Sequence, residues 1–310
     1  MRKLAIIIPA YKIDYFKETL ESLANQTCKD FTVYIGDDCS SADFKSLILK
    51  YMDKLNIIYH RFQENLGGRD LVGHWKRCVE LTQGEPWLWL FSDDDVIGER
   101  CVELFYEEIA CEAKYDIYHF DVKVINSDGK IVNTPKAYPS TFDAIDFYKQ
   151  KATGKIESFV VENLFSREIY NHIGGFVEFD MAWGSDTATW ISMSFQRGMR
   201  RIDGDNVFWR RSNLNITPQN SRQMCIRKLE ANIEYFCWAN SLFKDSRSAK
   251  ICNSYYLFRR IVYYSNSLKF DDYSFLLTEA RRRGLVDMIQ HVTMTMLYPL
   301  IKLYKLIMQK

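Results

Sequence analysis

The sequence has no run of eighteen uncharged apolar residues, so nothing in it reads as a transmembrane helix. It opens with Arg2 and Lys3 and an apolar run only from Leu4 to Ile8, too short for the core of a signal peptide. Its eight cysteines (28, 39, 78, 101, 111, 225, 237 and 252) include no CxxC pair and no disulfide-like framework. That pattern argues against structural zinc and for a reducing compartment, hence a cytoplasmic location. Internal repeats and low-complexity linkers are absent, as is any known nucleic-acid-binding motif.

What is present suits a packed globular protein: 310 residues, 47% hydrophobic and 26% charged. The net charge of +1 hides an asymmetry. From Arg222 onward there are 15 Lys/Arg against 7 Asp/Glu, a net of +8, which leaves 26 against 33, a net of −7, in residues 1–221. An acidic front and a basic tail suggest two units with different partners.

Along the chain, LAIIIP (Leu4–Pro9) reads as a buried strand that Pro9 ends, because proline cannot donate to the ladder. Residues 14–25 have helical apolar spacing, and FTVYIGDD (Phe31–Asp38) is a second strand ending in carboxylates. A helix over 42–55, a strand over 56–61, a glycine turn at ENLGGR (Glu64–Arg69) leading into a helix through about Leu81, and a strand over 87–92 follow. A helix over about 98–113 and a strand over 115–124 come next. Strands alternating with helices predict an α/β fold with a mostly parallel, doubly wound sheet and helices on both faces.

The most informative stretch is WLWLFSDDDV, Trp87–Val96. A short apolar run suits a buried strand, and carboxylates at its C-terminal end would lie in the crevice where open α/β sheets bind ligands. Three adjacent carboxylates, Asp93, Asp94 and Asp95, repel one another and call for a neutralising cation or hydrogen-bond donors. Mg²⁺ and Mn²⁺ prefer such hard oxygen ligands, with substrate phosphates completing the shell. An acidic turn starting a helix is the simpler alternative.

IIIPAY, ESLANQTCKDFTVYIGDDCSS, ENLGGR and WLFSDDDV, in that order and spacing, resemble the N-terminal half of the family 2 glycosyltransferases. The likeness covers roughly residues 4–104 and continues more weakly to about Ile216. It implies an inverting GT-A (Rossmann-like) enzyme that uses a nucleotide-diphosphate sugar, with Mn²⁺ or Mg²⁺. By resemblance, Pro9, Ala10 and Tyr11 would line the base pocket and Asp38 would accept a hydrogen bond from the base. Arg69 would approach the diphosphate, Asp93 would contact the ribose, and Asp94, extended by Asp95, would bind the metal. Ser92 stands where family members often carry the first acid of D-x-D-D. Asp38 also suits the N-cap of a helix beginning near Ser40–Ala42, and Cys39 and His74 read as packing residues.

An acceptor base is expected on the far side of the site. In MAWGSDTATWISMSFQ, Gly184 permits a turn and Asp186 opens a helix. The lead-in NLFSREIYNHIGGF resembles the family's approach to its acceptor motif, so Asp186 matches the base and Ser185 replaces a usual acid. Asp180 and Glu178 are the other candidates, and an N-cap role suits Asp186 equally. Trp183 would offer a sugar face an apolar platform or sit in the core. Arg210 and Arg211 follow a strand at 206–209, and the family places a basic residue near the diphosphate there. The Q-x-x-R-W signature of processive members is absent.

The expected organisation is a GT-A catalytic unit over 1–221, with a nucleotide-sugar half to about 113 and an acceptor half from 114. A helical, basic, aromatic-rich region follows over 222–310. That region suits peripheral contact with an anionic membrane, as for an enzyme acting on a polyprenyl-linked glycan. Met288–Ile301 carries no charge, but Pro299 argues against one straight helix. The expected donor is a UDP-sugar and the expected acceptor a glycan or lipid-linked glycan in surface polysaccharide synthesis. Two rival readings are a sugar-nucleotide nucleotidyltransferase, disfavoured because PAYKIDY has no glycine loop, and a catalytically silent nucleotide-sugar or glycan-binding protein.

Overall fold

A computed structural model describes residues 3–111, 114–212 and 219–308. Its elements in chain order are β1 (Leu4–Ala10), α1 (Phe16–Ala24), β2 (Phe31–Asp37), α2 (Phe44–Ile48), β3 (Ile57–Arg61), α3 (Leu71–Val79), β4 (Trp87–Leu90) and β5 (Val96–Ile97). Next are α4 (Cys101–Cys111), β6 (Ile117–Ile125), β7 (Ile131–Asn133), β8 (Thr141–Phe142), α5 (Ala144–Ala152), β9 (Asn163–Ser166) and α6 (Arg167–His172). The chain then forms α7 (Ser185–Ser194), β10 (Met199–Arg210), α8 (Arg222–Leu242), α9 (Arg247–Tyr264), α10 (Phe270–Arg282) and α11 (Met288–Met308).

The strands make one sheet in the order β3-β2-β1-β4-β9-β6-β10-β5, with β7 added to β6 and β8 to β10. Through β1–β4 it is the expected parallel, Rossmann-like half. Beyond β4 it is mixed: β9 runs antiparallel to both β4 and β6, and β10 is parallel to β6 but antiparallel to β5.

The period-2 alternation of β1 distributes its side chains between two layers. Leu4, Ile6 and Ile8 pack with Phe16 and Leu20 of α1 and Phe105 of α4. Ala5 and Ile7 face the other way, onto Val72 and Trp75 of α3. Each buried aliphatic of this kind stabilises the fold by roughly 1.5–3 kcal/mol. The second layer continues through Trp190 of α7 into Leu229 and Phe236 of α8, Leu257 of α9 and Leu277 of α10. The basic C-terminal helices therefore share a core with the sheet and wall one side of it.

Three local expectations change. Pro9 does not end β1, which continues to Ala10 in register with Asp37. Ile7 is the last residue of β1 paired with β4, so Pro9 stands where that ladder has already stopped. The helix expected over 42–55 is a short α2 followed by a 3₁₀ turn at Leu49–Tyr51; its cap is Asp43, which accepts the Ser46 N–H at 3.0 Å, not Asp38. Helix α11 runs through Pro299, which lies on its exposed side. There the carbonyl deprived of its helical donor can turn to water.

Candidate active site

Strand order reverses beside β1, between the β3-β2 wing and β4, and in such sheets ligands bind at the carboxyl ends of the strands flanking that point. The ends of β1 and β4 meet there through Asp93. Its Oδ2 accepts the backbone N–H of both Tyr11 and Lys12, each at 2.7 Å. Its Oδ1 takes no bond among the described residues. Asp94 accepts the Ser92 hydroxyl at 2.6 Å on one oxygen and pairs with Lys12 Nζ at 3.1 Å on the other. Asp95 accepts the Arg210 N–H at 2.6 Å, and its carbonyl accepts the Thr19 hydroxyl at 2.8 Å. Asp95 thus ties β10 and α1 to the cluster.

All three carboxylates are at least nine-tenths buried. Burial pushes Asp93 up to about 6, opposed by Lys12, and pushes Asp95 well above the usual carboxylate range. The neutralisation that three adjacent acids require is supplied by Lys12, whose ammonium the three Asp charges hold protonated against its own burial. Ser92, where the family often has an acid, instead orients Asp94.

Arg210 is buried completely beneath this cluster. Its Nε donates to the Asp94 carbonyl at 2.8 Å, Nη1 to the Asn126 carbonyl at 3.1 Å, and Nη2 to Glu18; its guanidinium stacks over Tyr15 at 4.4 Å. Of the two adjacent arginines it is the internal one. Arg211 is exposed and lines a cleft.

The remaining nucleotide-side candidates are spread around Tyr11. The Tyr11 ring is 54% exposed, free to flank a base. Ala10 faces the core, and its carbonyl accepts the Asp38 N–H at 2.8 Å; Pro9 is half-buried. Asp38 is buried and accepts the Leu66 and Gly67 N–H groups at 2.8 Å each, as well as Arg77. It fixes the 64–68 turn, and a base would reach only the lone pairs these donors leave. His74 lies 3.6 Å from Asp38, and burial pushes it down to about 4, so it is neutral at pH 7. Arg69 stands exposed, paired with Glu64 at 2.9 Å.

Asp186 belongs to a cleft of about 630 Å³ that opens where β10 leaves the carboxylate cluster. The cap of α7 is Gly184 in the left-handed region (φ 91°), with no side-chain cap, and Asp186 sits in the first turn. The N-cap role is therefore not its own. Before it, Met181 and Ala182 also take positive φ (57° and 56°). Consecutive non-glycine residues there cost about 1–2 kcal/mol each. The segment is held by the Arg227–Asp180 ion pair and by Ser185 Oγ, which accepts the Phe179 N–H at 2.9 Å. Ser185 is thus a structural staple at the usual acid position.

The alternative bases are tied up. Asp180 is held bidentately by Arg227, and Glu178 pairs with Lys76. Among the described residues Asp186 has no cation partner within bonding distance; burial raises its carboxyl above the ordinary value, with Lys151 opposing. Trp183 and Trp209 line the same cleft, Trp183 under Lys228 Nζ at 4.7 Å. Lys12, Lys151 and Arg260 were not singled out from the sequence. Lys12 directly follows the PAY motif, so its place at the strand's end was the available signal; the other two lie on helices α5 and α9 and carry none.

A family model described as "Glycosyl transferase family 2" matches residues 5–174. The chain belongs to that family. It is similar to TarS, the poly(ribitol-phosphate) beta-N-acetylglucosaminyltransferase of Staphylococcus aureus strain Mu50. The two are 33% identical over 133 residues, covering 42% of this chain and 22% of TarS. Glycosyltransferase GlyG of Streptococcus pneumoniae serotype 4 is 24% identical over 178 residues, 56% of this chain and 50% of GlyG. The chain therefore spans only a fifth to a half of these relatives' length. The fold agrees: S. aureus TarS 1–349 in complex with UDP superposes with a TM-score of 0.63 at 15% identity, covering 97% of this chain and 86% of that one. GalNAc-T7 with UDP, GalNAc and Mn²⁺ gives 0.53 at 10% identity, over 74% and 47%. The family 2 glycosyltransferase fold is the GT-A fold expected from the motifs.

Proposed function

We propose that this family 2 enzyme transfers a sugar from a UDP-sugar to a hydroxyl of a surface glycan or lipid-linked glycan, one sugar per encounter and with inversion. The observation that carries the reading is the position of Asp186. Among the described residues it is the one of the three candidate bases without a cation partner, in a cleft that starts at Arg211, next to the residue anchoring Asp94 and Asp95. The likeness to UDP-bound TarS supports uridine as the nucleotide and an N-acetylhexosamine as the sugar.

In the donor site, Tyr11 flanks the base, the Asp38-held turn closes over it, and the free Oδ1 of Asp93 accepts from the ribose. Arg211, the outward-facing member of its pair, approaches the diphosphate, with Arg69 at the rim. A divalent cation suits Asp94: one carboxylate that already attracts an ammonium, with phosphate oxygens and waters left to complete the shell, is how Mg²⁺ and Mn²⁺ are usually bound. No group of three His, Cys, Asp or Glu among the described residues forms a ready-made metal cage, so the diphosphate itself would complete the site, with Asp95 behind it. When bound, the metal neutralises charge on the leaving diphosphate.

On the acceptor side Asp186 takes the hydroxyl proton as that oxygen bonds to C1 and the C1–O bond to the diphosphate breaks. Attack opposite the leaving group inverts C1. The test is Asp186→Asn. Transfer should fall at least about 100-fold, as for loss of a general base, while UDP affinity stays within a factor of two or so. Undiminished transfer would remove Asp186 from this role.

The exposed face of α11 extends the proposal to location. Ile289, Met296, Leu300, Leu303 and Ile307 are all more than half exposed on a helix whose inner face packs on α10. No helix among the described residues is long and apolar enough to cross a membrane. An apolar stripe on a region of net positive charge supports peripheral contact with an anionic bilayer. Co-sedimentation with anionic vesicles, lost in Ile289→Asp/Met296→Asp, tests it.

A further inference from the structure

Lys12 is joined to the carboxylate cluster in two different ways. Its backbone N–H is fixed on Asp93 Oδ2 at 2.7 Å, while its ammonium reaches Asp94 Oδ2 at 3.1 Å. Among the described residues it is the one cationic side chain in an ion pair with Asp93, Asp94 or Asp95. Arg210 reaches the cluster instead through the Asp94 carbonyl and its own backbone N–H. The two side chains also differ in freedom. Arg210 is completely buried, with its guanidinium tied to several acceptors. The Lys12 side chain is 28% exposed, on a flexible four-carbon stem, and Asp94 is its one hydrogen-bond partner among the described residues. The other oxygen of Asp94 already accepts the Ser92 hydroxyl at 2.6 Å. A divalent cation on Asp94 would therefore stand where the ammonium is, and like charges that close repel strongly in a buried site. The anion that arrives with the cation is the diphosphate of the donor.

We propose that Lys12 competes with the divalent cation for Asp94 Oδ2, and that the diphosphate of the donor resolves the competition by receiving the displaced ammonium. Lys12 is then a positioning residue for the diphosphate, and it makes cation and nucleotide binding interdependent. A cation alone must expel an ammonium from a buried carboxylate with no anion to receive it; a cation with UDP does not. Each ligand therefore strengthens the other by the same factor. A lysine serves here better than an arginine, because a point charge on a flexible stem changes partners easily, whereas a planar fork locks onto a carboxylate. Once moved, the ammonium adds positive charge beside the departing diphosphate. The inference rests on the donor-site reading above.

The experiment titrates the full chain, Lys12→Met and Lys12→Arg with Mn²⁺ alone, followed by the EPR signal of the free ion, and with UDP at saturating Mn²⁺ by calorimetry. To the wild type, Mn²⁺ alone should bind about tenfold or more weakly than it does with UDP present. Lys12→Met should move the two affinities in opposite directions. Mn²⁺ alone should bind about tenfold or more tightly than to the wild type, and UDP about tenfold or more weakly, the range of a lost charge-assisted hydrogen bond. Lys12→Arg, which keeps the charge, should leave Mn²⁺ alone as weak as in the wild type. Should Lys12→Met fail to fold, Lys12→Gln, neutral but still able to donate to Asp94, carries the same test. The proposal is overturned if the neutral variant binds Mn²⁺ alone no more tightly than the wild type, or binds UDP as tightly. Either result, with a wild type that binds UDP and Mn²⁺, sinks this inference alone. A wild type that binds no UDP with Mn²⁺ present sinks the donor-site reading instead.

Discussion

Arg210 donates from Nε to the backbone carbonyl of Asp94 at 2.8 Å, joining the end of the last strand to a motif 116 residues earlier. The same arginine gathers the carbonyls of Asn126 and Ser127 and the carboxylate of Glu18, and its own N–H goes to Asp95. It is the keystone that holds the carboxylate cluster at the crevice.

Replacing that fork with a point charge leaves several buried acceptors unpaired. Arg210→Lys should therefore cost about 2–4 kcal/mol of stability, discounted for the half-exposed Glu18. It should also weaken UDP, because the Asp93–Asp95 loop loses its anchor. Urea unfolding and nucleotide titration of the variant check both; a stability change below about 0.5 kcal/mol, the range of ordinary surface substitutions, would contradict the assignment.

The pH dependence of transfer should show the environment of Asp186. A base works only when deprotonated, and burial raises this carboxyl above its ordinary value. Turnover should therefore decline on the acid side at a higher pH than a solvent-exposed aspartate would give. Lys151 opposes that rise, so Lys151→Met should shift the acid limb of kcat further up. A limb that stays fixed or moves down would break the link between the two residues.

Glu162 gives a separate stability signal. It is buried beside the cleft, accepting from the Ser158 hydroxyl at 2.8 Å and the Phe159 N–H at 3.1 Å, with Tyr138 OH 3.1 Å away. Tyr138 OH also lies 2.7 Å from the Glu157 carbonyl, so a protonated Glu162 can donate to the Tyr138 oxygen. Burial pushes this carboxyl up to about 8 from 4.5. With the folded value raised, the native state binds the extra proton in that window. Stability is then greatest below the unfolded value and declines as pH rises from about 4.5 towards 8. Glu162→Gln, neutral throughout, should flatten the decline. Thermal melts across pH 4.5–8.5 check this, and parallel slopes for the two proteins would contradict it.

The nucleotide half was legible because its signals are local. An apolar run that buries on both faces is written contiguously in LAIIIPAY, FTVYIGDD and WLWLFSDDD, the last two ending in carboxylates, and β1, β2 and β4 form where those runs stand. The turn at Gly184 and the helix start that carries Asp186 were legible in the same way. Which arginine faces inward was not: along β10 the register shifts between Ile202 and Asn206, and burial falls on Val207 and Arg210, not on Val207 and Trp209 as strict alternation would have it. Lys151 and Arg260 come to one cleft through the tertiary packing of α5 on α9, which no sequence window contains. Pro299 misled for a related reason, since an exposed turn can carry a proline that an interior one could not.

Calorimetric titration of UDP, with and without Mn²⁺, against the wild type and Asp94→Ala tests the proposed donor site at Asp93–Asp95 most directly. GDP and dTDP serve as nucleotide controls. The expected result is micromolar, Mn²⁺-dependent binding of UDP, lost in Asp94→Ala and weaker for the other two nucleotides. If UDP fails to bind with Mn²⁺ present, or binds the variant as tightly as the wild type, the carboxylate cluster is a structural acidic turn and the proposed donor site is wrong.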